Sequence, residues 1–199
     1  MRRKLFTWLL GLFVAIAVSA CCGSVSCECN DTFEDAIYFQ FNLADSQGTN
    51  GFRPADVDTV VLVRYPYVDP LVQLPPNAPK VPNDTARIIR SLDLVTEPII
   101  LNTAAPFTAG GARKLDAYKY QLYVVRHFPG TATPPETVFF SLDSIMLAGR
   151  FVGDGCCTCY QNEGKKLRVT KAEKPGTSGT ILDITPAEGD EPKTVVLSR

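Results

Sequence analysis

TFEDAIYFQFNL, residues 32–43, is the stretch from which the rest of the chain is read. Ile37, Phe39, Phe41 and Leu43 alternate with Tyr38, Gln40 and Asn42, a period of two that puts one set on each face of an extended strand. A helix would need its apolar positions at intervals of three and four instead. The same grammar returns in LDAYKYQLYVVRH, residues 115–127, where Tyr118, Tyr120, Leu122 and Val124 share a face and Lys119, Gln121 and Tyr123 lie opposite.

Working outward, residues 57–65 are β-branched and nearly continuously apolar, the pattern of a strand covered on both faces or placed in the centre of a sandwich. Residues 86–95 fit a strand ahead of Pro98, and Ile99-Ile100-Leu101 reads as the next edge. Residues 137–147 form a strand whose phase slips at Asp143-Ser144, where a bulge would restore the inward set. Strands at 166–171, 180–185 and 194–198 complete the series. Turn chemistry separates them: Asn50-Gly51, the proline-dense run 67–82, Gly110-Gly111, the connector 128–136, then Gly176, Gly179, Pro186 and Gly189. The fold class expected is all-β, an antiparallel β-sandwich of eight or nine strands.

Ahead of this domain stands MRRKLFTWLLGLFVAIAVSAC. Arg2, Arg3 and Lys4 precede the uncharged run 5–20, the layout of a secretory signal peptide, and the run is short of the about 20 apolar residues a bilayer span requires. Its end, Val18-Ser19-Ala20-Cys21, resembles the lipobox of bacterial lipoproteins, with Val18 in place of the usual leucine. The resemblance implies cleavage before Cys21, a diacylglyceryl group on its thiol and an acylated amino terminus, which together hold a domain at a membrane. Residue 22 is Cys22 and not aspartate, so the inner-membrane retention signal of enteric lipoproteins is missing and the outer membrane is the expected address. The expected organisation is a signal peptide over 1–20, a lipid-anchored cysteine-rich segment over 21–32 and one sandwich domain over 33–199.

Without the leader the chain has 17 basic and 21 acidic residues, with one basic cluster, Lys165-Lys166-Leu167-Arg168. That is no basic stripe of the kind nucleic acid requires, so nucleic-acid binding is not expected. Six cysteines follow Cys21 in two clusters of three: Cys22, Cys27 and Cys29, then Cys156, Cys157 and Cys159. In an extended chain Cys27 and Cys29 share a face, as do Cys157 and Cys159. With Cys21 acylated the remaining number is even, and an oxidising compartment favours disulfides, whose pairing the sequence leaves open among fifteen arrangements. The rival reading is a thiolate site for copper or zinc formed by Cys27, Cys29, Cys156, Cys157 and Cys159.

Evidence for an enzyme is thin. His127, the one histidine, has no family signature around it, and Glu34-Asp35 reads as a solvated turn. No phosphate loop, nucleophile elbow or zinc-protease motif occurs, and no cofactor is expected. Asp84-Thr85-Ala86 looks like the O-glycosylation acceptor of exported Bacteroidota proteins, with Thr85 read as lying in a loop. The order lipobox, Asp-Thr-Val-Val strand, Tyr-x-Tyr strand, Cys-Cys-x-Cys-Tyr resembles envelope lipoproteins of that group, which implies an immunoglobulin-like or transthyretin-like sandwich. The expected function is therefore a non-catalytic envelope lipoprotein, bound to the membrane through Cys21 and meeting an envelope protein or glycan through loops 67–82 and 128–136.

Overall fold

The computed structural model describes residues 26–27, 29, 31–43, 50–67, 82–107, 114–126, 136–171, 179–187 and 191–199. One helical turn, α1 (Asp31–Glu34), precedes nine strands. In chain order these are β1 (Ile37–Phe41), β2 (Thr59–Pro66), β3 (Asp84–Ile89), β4 (Ile99–Leu101), β5 (Tyr118–Arg126), β6 (Glu136–Asp154), β7 (Cys157–Lys171), β8 (Thr180–Asp183) and β9 (Thr194–Leu197). No helix among the described residues is long and apolar enough to cross a membrane.

The strands form a six-stranded sheet, ordered β3-β2-β5-β6-β7-β8, and a three-stranded sheet, ordered β4-β1-β9. The all-β sandwich expected from the alternation is therefore present. Every pairing in the larger sheet is antiparallel. In the smaller one β1 runs antiparallel to β4 and parallel to β9, with Phe39 beside Val195. A parallel pair needs no hairpin, and here the partners come from the two ends of the domain.

The core lies between the sheets. Ile37, Phe39 and Phe41 of β1 join Ile99, Leu101, Val195 and Leu197 to face Val60, Leu62, Tyr120, Leu122, Val124, Phe140 and Leu142 in one buried cluster. Phe52 bridges the layers, its ring 5.3 Å from Phe41 and 6.3 Å from Phe140. Burying a side chain of this size contributes about 1.5–3 kcal/mol. The alternation decides which face is covered, and the face of β5 carrying Tyr118, Tyr120, Leu122 and Val124 is the buried one, as the sequence predicts. Arg64 also points inward from β2: its guanidinium lies 4.5 Å from the Phe107 ring centre and 4.8 Å from that of Tyr118, and donates to Asp84 at 2.9 Å. Stacking and ion pairing together offset the cost of burying that charge.

β2 lies inside the larger sheet between β3 and β5, with one face in the core and the other half-buried, which fits the second of the two placements expected of it. Two expectations need correction. The strand expected over 86–95 stops at Ile89, because Arg90 turns the chain. Its guanidinium donates to the carbonyls of Leu94 (3.3 Å), Glu97 (2.8 Å) and Val57 (3.3 Å) and gathers them into a turn. Thr85 sits inside edge strand β3, exposed, and not in a loop. Residues 148–164, to which the sequence assigns no element, are paired strand apart from the turn at 155–156.

That pairing makes the most distinctive element. β5 covers β6 only as far as Leu142, and β8 covers β7 only as far as Lys166, yet β6 and β7 continue together to Asp154 and Cys157. The register shifts between Asp143 and Met146, where Ser144 takes a φ of 51°, so the bulge expected there is present. A second shift separates Ala148 from Gly149. Gly155 supplies the positive φ (58°) required at the first central position of a tight hairpin turn. The result is a two-stranded ribbon running past one end of the large sheet.

Candidate functional site: the stapled ribbon

The amino-terminal segment of the domain lies along the outer edge of β7. Cys27 is bonded to Cys157 and Cys29 to Cys159, with Cα–Cα distances of 5.5 and 5.3 Å and the same sequence separation of 130. Equal separation means that the two segments run parallel, in constant register, which is how the shared faces of each Cys-x-Cys are used. Cys156 is disulfide-bonded as well. Cys21, Cys22 and His127 lie outside the described residues, as do most of loops 67–82 and 128–136.

Beyond the disulfides, α1 continues the contact with side chains where a strand would use its backbone. An Asp31 carboxylate oxygen accepts from the Tyr160 backbone N–H, and a Glu34 oxygen accepts from that of Asn162, both at 3.0 Å. Two edge donors of β7 are thereby satisfied without another strand, which seals the edge against adventitious strand pairing. Asp35 accepts from the Tyr160 hydroxyl (3.1 Å) and from Asn162 Nδ2 (2.7 Å), and Lys165 Nζ donates to the Ala36 carbonyl (2.7 Å). Asp35 is 8% exposed and Lys165 3%. Glu34-Asp35 is thus a structural clasp and not the solvated turn expected from sequence.

The electrostatics follow from this burial. Desolvation pushes the Tyr160 phenol up to about 12, with the neighbouring Asp35 carboxylate acting in the same direction. Burial lowers the Lys165 ammonium, while Asp35 and Glu34 oppose that shift. Tyr160 also packs edge-on against Phe151 (5.6 Å), has Lys114 Nζ 4.9 Å from its ring centre, and lies over Gly149, where an added Cβ would come within 2.6 Å of Tyr160 Cζ. The bulge at Gly149 is therefore the space that Tyr160 fills.

What the arrangement does chemically is hold. The sulfurs of Cys27, Cys29, Cys157 and Cys159 are spent in pairs, and the carboxylates of Asp31, Glu34 and Asp35 are spent on β7. Cys29, Asp31 and Cys159 have donor atoms within 4.8 Å of one another, so the described residues hold one constellation of metal-ligand type, with both its sulfurs in a disulfide. The basic cluster is dispersed: Lys165 is buried, Lys166 pairs with Asp183 (3.3 Å) and Arg168 with Asp143 (3.8 Å).

The described residues that bracket the two candidate contact loops lie at opposite ends of the larger sheet. Pro66 and Asp84, which bracket the first, lie at the end of the sheet from which the ribbon continues, since Pro66 pairs with Tyr118. Arg126 pairs with Glu136, and these bracket the second loop at the other end of β5. Nine residues of β5 separate the two ends by about 27 Å, at about 3.4 Å per residue. The far end also carries the exposed aliphatics Ile89, Leu92 and Leu94.

The sequence assigns no role to Asp31 or Tyr160, and it offers Glu34-Asp35 only as a solvated turn and Lys165 only as part of a basic cluster. The one available signal was the Asp31-x-x-Glu34 spacing, a pattern of helix starts. Comparison with protein-family models, curated proteins and solved structures finds no match for this chain.

Proposed function

We propose that this chain is an exported envelope lipoprotein, anchored through acylated Cys21, whose sandwich has a binding or structural role and no catalytic one. Cysteine arithmetic carries the reading. All five described cysteines are disulfide-bonded, and Cys156 takes its partner from outside the described residues, so six of the seven are paired. Only Cys21 and Cys22 remain to supply it. An acylated Cys21 is a thioether and forms no disulfide, so this reading assigns Cys22 to Cys156 and leaves no unpaired thiol. Disulfides of this density also suit an oxidising compartment.

The stapled ribbon suits such an anchor, because it joins the segment next to the lipid rigidly to the sandwich. Partner contact falls to the opposite end, where Arg126 and Glu136 bracket loop 128–136 and the aliphatics Ile89, Leu92 and Leu94 are exposed; an envelope protein or glycan is the class of partner. The experiment is intact-mass analysis with disulfide mapping on protein taken from the envelope. The expected result is a chain starting at Cys21 with added acyl mass and a Cys22–Cys156 peptide. A Cys21–Cys156 peptide, or an unmodified Cys21, overturns the reading.

A second reading, thiolate metal binding, draws on the gathering of Cys29, Asp31 and Cys159. Thiol titration with elemental analysis on the same preparation separates the two: titratable thiols with bound metal favour it, and neither leaves the lipoprotein reading.

A further inference from the structure

We propose that the β6–β7 ribbon is a second membrane contact, lying along the same bilayer that holds the lipid, with Phe151 in its interfacial layer. The proposal rests on the lipoprotein reading and adds an orientation to it. Under that reading Cys22 is bonded to Cys156, at the turn of the ribbon. Consecutive Cα atoms are about 3.8 Å apart and disulfide-bonded ones about 5.5 Å, so the turn lies about 10 Å from the lipid-bearing residue. The second staple agrees with this: Cys27 is six residues from Cys21, a reach of about 20 Å at most. A tether this short brings the ribbon to the surface whatever the rest of the domain does.

The ribbon carries a side chain suited to that surface. Phe151 is 70% exposed, and Tyr160 is the only ring packed against it, edge-on, among the described residues. On its own strand and face its neighbours are Gly149 and Gly153, which have no side chain to shield it. Arg150, next along the strand, is largely exposed and pairs with Glu163 at 2.7 Å. Arg150 projects from the opposite face, so the face turned to the bilayer presents the Phe151 ring, an apolar side chain of the kind that buries at the boundary of headgroups and acyl chains. The acyl chains supply the anchoring, and Phe151 fixes which side of the domain faces the bilayer. The other cluster of exposed apolar side chains, Ile89, Leu92 and Leu94, is at the opposite end and stays in water.

The test uses the acylated protein carrying Phe151→Trp. The chain has one tryptophan, Trp8, in the leader, so the introduced residue is the sole tryptophan of the mature protein. In phosphatidylethanolamine–phosphatidylglycerol vesicles its emission should shift to the blue and be quenched by brominated acyl chains. Wild-type protein gives a readout without substitution: on the vesicles, amide exchange across residues 146–160 should slow while that across 89–97 stays unchanged. Acylated, vesicle-bound protein whose tryptophan emits as in buffer and whose ribbon exchanges unchanged overturns the ribbon contact and leaves the lipoprotein reading standing. A mass spectrum without acyl groups removes both.

Discussion

Removing the staples one at a time should cost little until the last is removed. In the chain-entropy account, closing a loop of 130 residues restricts the unfolded chain by about 5 kcal/mol at 25 °C. Cys27–Cys157 and Cys29–Cys159 close nearly the same loop, so once either is formed the other adds only a small ring, worth about 2 kcal/mol. The bond at Cys156 is a third member of the set. The paired replacement Cys27→Ala with Cys157→Ala should therefore cost about 2 kcal/mol, and adding Cys29→Ala with Cys159→Ala about 2 kcal/mol more. Adding Cys156→Ala opens the long loop and should cost about 5 kcal/mol in that one step. The total, about 9 kcal/mol, is comparable to the whole stability of an ordinary domain, so the last variant should be largely unfolded without denaturant. Urea titration of each step, with thiol labelling to verify the remaining bonds, gives the sequence of losses. The urea dependence should also steepen at the last step, because an opened loop exposes more surface on unfolding. A first replacement that costs about 5 kcal/mol by itself, or a last step no larger than the first, refutes the redundancy.

Three further outcomes are expected. Gly149→Ala places a Cβ where the Tyr160 ring sits, so it should displace Tyr160 and speed amide exchange along 157–164 while leaving β2 and β5 unchanged. The Tyr160 phenol is raised from 10.0 to about 12, so the folded state holds its proton more tightly; its contribution is whole below pH 10 and is lost as the pH climbs towards about 12. Tyr160→Phe should therefore flatten the alkaline fall in urea midpoint, and since Lys165 titrates in both proteins, the difference between them isolates the phenol. Phe39→Ala, at a fully buried position where the sheets face each other, should cost about 3–5 kcal/mol in urea unfolding.

The alternations in β1 and β5 were legible because a strand with one wet face writes its own period into the sequence. The bulge at Asp143-Ser144 was legible for the same reason, as a break in that period. The ribbon was not: along 148–164 both faces meet solvent or the amino-terminal segment, so no period of two develops in the sequence. Lys165 gave no sign of burial either, since its place depends on Ala36 arriving from 129 residues away.

The sequence by itself determined the class of fold, the faces of the regular strands and the likeness of the two Cys-x-Cys segments. Tertiary structure alone decided the parallel pairing of β1 with β9, the partners of Cys27 and Cys29, and the use of Asp31, Glu34 and Asp35 as an edge seal. The division has a physical cause. Local pattern reflects what each residue gains against its immediate neighbours, whereas a pairing between distant segments is fixed only when the whole core closes and makes one register more favourable than its rivals.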